Sequence, residues 1–272
     1  MTRHAPSATA GVLADEGEML ADGWSPDTPP GDNVVAHYLS TLVDRLVGSA
    51  ERTGGRWEAD ESATFVDLES AYVFDNIAVC RGPLGEAELD RVCERASVFF
   101  PEERTWTVLS FDSRSDLTHH GLGRVGHPPL MFRPVGGSAP ETPAGLDIRP
   151  VDDRSRLADF ARTLLDAYPL PPGSKVVDPR LLESGLTAWV GYVDDQPVAT
   201  AGAHTARGLT EVEWVSTAAS HRGLGIGASM VWTASTVDPT APAALIATDP
   251  GRPVYERLGY IPLLRLTMWA RT

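Results

Sequence analysis

The sequence predicts an α/β protein built from two tandem halves, and three observations lead to this prediction. Helical and strand-like hydrophobic patterns alternate along most of the 272 residues. Residues 135–145 are dense in glycine, proline and serine, which is typical of a linker. Segments 108–134 and 245–271 also look alike, since each runs from a strand through a loop with Asp and a short helix to Leu-Gly and a strand with Met and Arg. We therefore expect two related domains, at 33–134 and 146–272.

Bulk properties argue against several classes of protein. Residues 1–32 are rich in Ala, Gly, Pro, Asp and Ser without a sustained period, which predicts a disordered arm. A net charge of −14 argues against nucleic-acid binding. No apolar run reaches the ~20 residues of a membrane span, and the first residues lack the apolar core of a signal peptide. With only two cysteines and nearly all basic residues Arg, the sequence favours a cytoplasmic bacterial protein that contacts neither nucleic acid nor membrane.

The first half is predicted to begin with an amphipathic helix at Val34, because its apolar residues fall on one stripe. A second helix is predicted over residues 86–100. Strand patterns occupy five segments of this half: 64–68, 71–74, 77–80, 105–110 and 129–134.

The second half is predicted to contain more strands than helices. Its helices are expected at 154–168, 178–183 and 253–258, with a further helical run up to Ala234 and a proline-rich loop at 169–175. Its strands are expected at 146–151, 187–193, 197–205, 211–217, 243–248 and 261–270, the second and third of these forming a hairpin around Asp194 and Asp195.

One stretch organises this half: the strand 211–217, a glycine-rich turn at 222–227 and the helix that follows. Glycines allow close approach of the backbone to a phosphate, and the first amides of a helix point at it with the helix dipole behind them. No Gly-Lys-Ser/Thr follows, so the turn is not a P-loop, and its spacing does not fit a dinucleotide fingerprint. The pattern indicates an anion site.

The pattern Arg222-x-x-Gly225-x-Gly227 closely resembles the loop with which GNAT acyltransferases bind the pyrophosphate of an acyl-coenzyme A. Residues 253–260, PVYERLGY, are similar to that family's LYERLGF segment. The predicted order of elements across 146–272 is also that of the family. The resemblance implies an α+β arrangement of two tandem GNAT-like domains, each a mixed, mostly antiparallel sheet flanked by helices, with acetyl-CoA or another acyl-CoA as co-substrate.

The resemblance also implies which residues hold the coenzyme. The pyrophosphate would lie on the backbone amides of Gly223, Leu224, Gly225, Ile226, Gly227 and Ala228, with Arg222 adding charge. Val215, Ser216 and Thr217 fall where the family's splayed fourth strand grips the pantetheine arm. A bulge there would free the amide of Val215 to donate to the oxyanion.

Acyl transfer to an amine also needs an acid and a base. Tyr255 matches the family's tyrosine that points at the coenzyme sulfur, so we expect it to protonate the leaving thiolate. Glu211 and Glu213 lie on one face of the strand beside the cleft and are both candidates for the base, and the eleven-residue spacing of Glu211 from Arg222 resembles that of some members. A water chain to a more distant carboxylate is equally compatible with the family.

Two further groups of residues argue against a metal site and against a second coenzyme site. The histidines His119, His120 and His127 fit no common metal spacing and have no Cys close by, so we expect no metal. In the first half the corresponding turn, 81–85, lacks spaced glycines, and its Pro83 has no amide to donate. We therefore expect a degenerate first copy that binds no coenzyme and closes one side of the acceptor cleft.

The function we expect is N-acyl transfer from acetyl-CoA to a small-molecule amine, by direct attack in a ternary complex. The acceptor can instead be a protein N-terminus, a lysine or a hydroxyl. The alternative from another class is a non-catalytic module that binds acyl-CoA in a regulatory role. The acidic net charge is compatible with a cationic acceptor, and the state of assembly is expected to be a monomer or a homodimer.

Overall fold

The computed structural model describes residues 34–111, 116–168, 180 and 186–271. The α-helices of these residues are α1 (Val34–Thr53), α2 (Glu86–Phe99), α3 (Arg154–Ala167), α4 (Ile226–Ser235) and α5 (Arg252–Arg257). Short 3-10 turns lie at Val73–Asp75, Thr118–His120 and Ala219–His221. The expected arm at 1–32, the loop at 169–175 and the helix at 178–183 lie outside the described residues, except for Arg180.

The strands of the first half are β1 (Arg56–Ala59), β2 (Ala63–Asp67), β3 (Asn76–Cys80), β4 (Trp106–Ser110), β5 (Gly123–Gly126) and β6 (Pro129–Arg133). Those that follow are β7 (Leu146–Pro150), β8 (Leu186–Val193), β9 (Gln196–Ala206), β10 (Leu209–Thr217), β11 (Ala243–Ile246), β12 (Ile261–Arg265) and β13 (Thr267–Arg271). Residues 135–145, the predicted linker, contain neither helix nor strand.

The strands form two mixed, mostly antiparallel sheets. One has the order β1-β2-β3-β4-β13-β5 and the other the order β12-β6-β11-β10-β9-β8-β7. Each sheet has one parallel pair, β3 with β4 and β10 with β11, among otherwise antiparallel neighbours. Helix α2 connects the first parallel pair and α4 the second, so the two halves repeat one topology, as the sequence similarity predicts.

The halves exchange one strand each. Strand β6, from the first half, lies between β11 and β12, and strand β13, from the end of the chain, lies between β4 and β5. Both inserted strands are antiparallel to their neighbours. Each sheet therefore contains strands from both of the predicted domains, 33–134 and 146–272. These domain bounds stay a prediction.

Helix α1 packs across both sheets and joins their cores. Its predicted apolar stripe is buried, with Tyr38 and Leu42 among the least exposed residues. The same hydrophobic cluster contains Leu109 of the first sheet and Leu209 and Leu264 of the second. The two halves consequently share one hydrophobic core. Within the described residues no helix is long and apolar enough to cross a membrane.

Three details differ from the sequence prediction. Residues 71–74 are expected as a strand, but Val73 and Phe74 belong to the 3-10 turn at 73–75. The expected last strand at 261–270 is two strands that belong to different sheets and separate at Leu266, whose amide donates to the carbonyl of Pro128. Strands β1 and β5 had no sequence prediction. A strand pattern shows which face is apolar but does not determine the neighbour with which the strand pairs.

Candidate active site

Strand β10 has a bulge at the position where the family resemblance implies one. Glu213 pairs with Gly202 and Ser216 with Thr200, so two residues, Trp214 and Val215, stand opposite a single residue of β9. Trp214 has a φ of +51°, a left-handed conformation that is rare for a bulky side chain. A bulge leaves an extra residue outside the ladder, so the backbone here is available to a ligand.

The bulge is held by one hydroxyl from the neighbouring strand. Thr200 donates from Oγ1 to the carbonyl of Trp214 at 2.7 Å and lies 2.7 Å from the hydroxyl of Ser216. The Trp214 ring packs edge-on against Phe160 of α3, with the centroids 5.8 Å apart. Hydrogen bonds and ring packing thus stabilise the unusual backbone from both sides.

Strands β10 and β11 separate beside this bulge. Their parallel pairing consists of Thr210 with Ala243 and Glu211 with Ala244, although β10 continues to Thr217. The register contains no pair beyond Glu211, and we call the region between the unpaired ends of the two strands the opening. Val215, Ser216 and Thr217 lie on the β10 side of this opening, and Ser216 is the most buried of the three.

The glycine-rich turn follows directly and leads into α4. Gly223 and Gly225 have φ of +79° and +83°, conformations that favour glycine, and Gly225 is the N-cap of the helix. At Gly227 a Cβ would stand 3.2 Å from Oγ1 of Thr217, so the start of α4 lies close against the end of β10. The first amides of α4, which include Ile226, have no carbonyl partner within the helix.

The other residues of the turn orient it. Arg222 donates from Nε to the carbonyl of Thr217 at 3.0 Å and from Nη2 to that of Ala167 at 3.5 Å. Leu224 is exposed, Ile226 is buried in the core and Ala228 is partly buried. Arg222 therefore connects the turn to both β10 and α3, and it remains exposed at the start of the glycine-rich turn.

Tyr255 lies on α5, near the opening between β10 and β11. It packs with Val215 against the same hydrophobic cluster, and its ring meets that of Tyr260 edge-on at 5.8 Å. Burial, followed by the neighbouring Tyr168 and Tyr260, raises the pKa of Tyr255 above its ordinary value of 10.0. The phenol is therefore protonated at neutral pH.

Helix α5 is supported by an arginine that sequence reasoning missed. Arg133, on the exchanged strand β6, donates from Nε to the carbonyl of Leu258 at 3.0 Å. Its guanidinium also stacks over the ring of Trp232 of α4, 4.4 Å from the ring centre. The sequence signal for Arg133 was the Met and Arg shared by the last strands of the two halves. That pattern does not show that β6 belongs to the second sheet.

The two glutamates of β10 lie on one face, as predicted, and both meet Arg45 of α1. Arg45 binds Glu211 with Nε at 3.0 Å and Nη2 at 3.3 Å, and Nη2 also contacts Glu213. The side chain of Glu211 is 0% exposed, whereas that of Glu213 is 20% exposed. Glu211 is fully buried and accepts two hydrogen bonds from Arg45, so its carboxylate is not accessible to an acceptor substrate. This does not favour Glu211 as the base.

Glu213 differs from an ordinary surface carboxyl by its pKa. Burial raises its pKa well above the ordinary value of 4.5, and the charges of Glu211 and Asp75 act in the same direction against the opposing effect of Arg45. A carboxyl with a raised pKa is better matched to taking a proton from an ammonium group than an ordinary one.

The turn at 73–75 brings residues of the first half to the same region. Burial raises the pKa of Tyr72, and the charges of Tyr168, Asp75 and Glu213 add to this effect. Tyr72 also packs edge-on against Phe74, with their centroids 5.2 Å apart. Tyr72 and Asp75 of the first half thus lie close enough to Glu213 and Tyr168 of the second for their charges to interact.

Among the described residues of the first half, no comparable cradle is found at the start of α2. At the start of α2, the amide of Gly85 donates to Oε2 of Glu88 at 3.1 Å, so the protein's own carboxylate occupies this helix N-terminus. Of the three histidines considered for a metal, His127 is buried beside Thr267, with Nδ1 2.9 Å from its hydroxyl. His119 and His120 instead form hydrogen bonds with Asp90, a residue that their spacing in the sequence does not indicate.

Comparisons with known proteins agree with this geometry. Residues 157–260 match the model of the acetyltransferase (GNAT) family. A GCN5-related N-acetyltransferase from Kribbella flavida is 25% identical, with a TM-score of 0.68 over 88% of this chain and 96% of that one. A GCN5-related N-acetyltransferase from Sphaerobacter thermophilus has the same fold at 15% identity, with a TM-score of 0.56 over 93% and 96%. No curated protein matches the chain.

The fold and the site define a tandem α/β protein with a splayed strand pair beside a glycine-rich helix N-terminus. Residues 157–260 are an acetyltransferase domain of the GNAT family, and the chain as a whole is similar in fold to GCN5-related N-acetyltransferases. The family uses acetyl-CoA, so the expected co-substrate agrees with the comparison.

Proposed function

We propose that the chain transfers the acetyl group of acetyl-CoA to a small-molecule amine by direct attack in a ternary complex. The observation that carries this proposal is the opening between β10 and β11, with the bulge of Val215 on one side and Tyr255 beside it. The reacting carbonyl would lie in this opening, between an oxyanion donor and an acid.

The coenzyme would be held by backbone more than by side chains. The amides of Gly223 to Ala228 and the positive end of α4 bind the pyrophosphate, and Arg222 adds charge. The pantetheine arm lies along Val215, Ser216 and Thr217. The amide of Val215 donates to the carbonyl oxygen as negative charge develops there.

Tyr255 would protonate the leaving thiolate of coenzyme A. Its place beside Val215 supports this role, since the phenol is protonated and lies against the same cluster as the proposed oxyanion donor. The partly buried ring also excludes water from the thioester.

Glu213 would take the proton from the attacking ammonium, directly or through a water. Its partial exposure and raised pKa support this choice over Glu211. Glu211 would then be a positioning residue that fixes Arg45, and through it Glu213. A water chain to Asp75 is the alternative route for the proton.

The acceptor is best matched to a cationic amine of small size. Glu213 and Asp75 provide negative charge, and Tyr72 and Tyr168 provide aromatic surface for an ammonium group. The first half contributes two of these residues, so it would close the acceptor side of the cleft. A protein N-terminus, a lysine or a hydroxyl acceptor remains the alternative within the same chemistry.

The setting we infer is a cytoplasmic, bacterial monomer or homodimer that binds no nucleic acid and no membrane. Free cysteines favour a reducing compartment, and both Cys80 and Cys93 are free and buried. The net charge of −14 opposes contact with phosphate-rich polymers and anionic surfaces.

Calorimetric titration with acetyl-CoA tests the coenzyme site. We expect one binding site in the wild type and none in the double variant Gly225→Glu, Gly227→Glu, because two carboxylates would block the cradle and repel the pyrophosphate. Gly85→Glu is the matched control, since Gly85 precedes the equivalent helix of the first half and a Cβ there meets nothing closer than 3.7 Å.

The unfolding temperature of each variant separates loss of the site from loss of the fold. A folded double variant that binds as tightly as the wild type would refute the cradle. A wild type that binds no acyl-CoA would leave the chain with the family's fold and without the proposed donor.

A further inference from the structure

A second polar cluster lies on the first half, away from the acyl-transfer cleft. Asp90 of α2 accepts hydrogen bonds on Oδ1 from Nε2 of His119 at 3.1 Å and from Nε2 of His120 at 2.9 Å. The two imidazole rings are adjacent, with centroids 4.1 Å apart. All three ligand atoms lie within 4.8 Å of one another.

The local structure holds both histidines toward the helix. Oδ1 of Asp116 accepts the amide of Thr118 at 2.9 Å at the start of the 3-10 turn, and Gly121 ends the turn with a φ of +74°. Leu117 and Leu122, on either side of the turn, are buried with Leu89 of α2 in one cluster. The turn is therefore packed on α2 by apolar contacts that do not depend on the histidines.

We propose that Asp90, His119 and His120 bind one divalent transition-metal ion, of which Zn²⁺ is the best match. Two imidazole nitrogens and one carboxylate oxygen are the ligands of many three-residue zinc sites, in which water takes the fourth position. Zinc bonds of about 2.0–2.2 Å place neighbouring tetrahedral ligand atoms roughly 3.4 Å apart. The observed separations of 2.9 and 3.1 Å need only a small outward movement of these side chains, of which that of His119 is exposed and the other two are partly buried.

The position of the cluster in the fold suggests what the ion does. The turn at 118–120 follows β4 as α5 follows β11, so it occupies the place in the first half that the helix of Tyr255 occupies in the second. An ion here would connect this turn to α2, next to the exchanged strand β13. It would stabilise the degenerate half and take no part in acyl transfer.

The overall charge favours such an ion. The site itself combines one carboxylate with two imidazoles, and the chain carries a net charge of −14. Binding of a dication therefore gains from the field of the whole protein as well as from its three ligands.

The test uses the tag-free full chain, treated with a chelator and then titrated with ZnCl₂. We expect one Zn²⁺ per chain by calorimetry and an unfolding temperature that rises with free Zn²⁺, since an ion that binds the folded state stabilises it. Replacing Asp90→Asn or His120→Ala removes a direct ligand. Affinity should then fall by more than the roughly 10–100-fold that loss of an outer-shell partner costs.

His221→Ala is the control. His221 belongs to the second half, and its ring forms a hydrogen bond with the neighbouring Ser220. It should bind Zn²⁺ like the wild type. Co²⁺ in place of Zn²⁺ should give the visible absorption of a tetrahedral ion, which the Asp90→Asn chain should lose. Acetyl-CoA binding should be the same with and without Zn²⁺, so the test does not depend on the proposed function.

Weak binding of several ions per chain, unchanged by Asp90→Asn and by His120→Ala, would overturn the proposal. The cluster would then be only a hydrogen-bonded contact between the turn and α2. Binding of one ion that survives both Asp90→Asn and His120→Ala would likewise overturn it, because the ion would then lie elsewhere.

Discussion

At the scale of single residues, Tyr255 and Glu213 differ from ordinary surface residues by their surroundings. Burial disfavours the charged form of both, so both pKa values are raised, although Arg45 opposes the shift at Glu213. In the proposed mechanism Tyr255 is the proton donor, and Glu213 is the carboxylate that takes a proton up.

Replacing Tyr255→Phe should lower kcat by about 100-fold or more, the usual range for loss of a general acid. Binding of acetyl-CoA should persist, because the cradle is elsewhere. Tyr192→Phe is the control, since its hydroxyl donates to Asp159 at 2.8 Å outside the cleft, and its kcat should not change. Steady-state kinetics and calorimetry measure both quantities. Tight binding by the wild type without turnover of any amine would instead favour a non-catalytic acyl-CoA module.

Glu213→Gln should change how stability depends on pH. The folded protein holds a proton on Glu213 more tightly than the unfolded chain, so its contribution to stability is greatest below the ordinary pKa of 4.5 and is lost as pH rises through the folded value. The variant should lose this downward slope, and its kcat/KM should lose the acid limb that reports a base.

Denaturant unfolding from about pH 4.5 to about pH 8 measures the slope. Glu51→Gln, on the exposed side of α1, is the control and should keep it. A pH profile of kcat/KM identical in wild type and Glu213→Gln would transfer the role of base to another carboxyl, with Asp75 the next to test.

At the scale of elements, the bulge in β10 and the start of α4 together form the site. Neither is stable by local preference alone, because Trp214 adopts a left-handed backbone and the first amides of α4 lack carbonyl partners. Thr200 is the neighbouring group that fixes the bulge through its hydroxyl.

Thr200→Val should therefore cost stability and activity together. Removing the hydroxyl leaves the carbonyl of Trp214 and the hydroxyl of Ser216 without this buried partner, at a cost of about 1–3 kcal/mol in the free energy of unfolding. Displacement of the Val215 amide should lower kcat by roughly 10-fold or more, as an oxyanion donor moves out of position.

Thr205→Val provides the comparison. Thr205 lies on the same strand, and its hydroxyl is 3.0 Å from that of Thr210, away from the bulge. We expect it to change stability without a change in kcat. Equal kcat values for the two variants would contradict a role for the bulge in catalysis.

At the scale of the whole molecule, the reciprocal exchange of β6 and β13 makes the two halves one folding unit. Strand β6 separates β11 from β12, and helix α1 packs on both sheets. Removing the first half would leave unpaired strand edges and an uncovered apolar face, both of which promote association.

A fragment of residues 135–272 should therefore fail to unfold cooperatively and fail to bind acetyl-CoA, whereas the full chain unfolds in one transition. Co-expression with residues 1–134 should restore both properties, because the missing strand returns. Circular dichroism and calorimetry measure the outcome. A fragment that folds and binds alone would mean that β13 is able to take the place of β6 between β11 and β12.

The sequence by itself determined those features that depend on neighbouring residues. The glycine cradle at 222–228, the helix stripe of α1 and the segment around Tyr255 are contiguous, so their residue types and spacing carry the geometry. The bulge at Val215 was an expectation from family resemblance, and the structure has one there.

Only the tertiary structure decided the features that join distant residues. Arg45 meets Glu211 across 166 positions, Asp90 meets His120 across 30, and β6 enters a sheet whose other strands all follow the linker. The physical reason is that hydrophobic periodicity specifies the buried face of an element but not its neighbour. Buried ion pairs and strand partners are determined only when the elements pack, and in this protein that packing buries Glu211 completely and leaves Glu213 partly exposed.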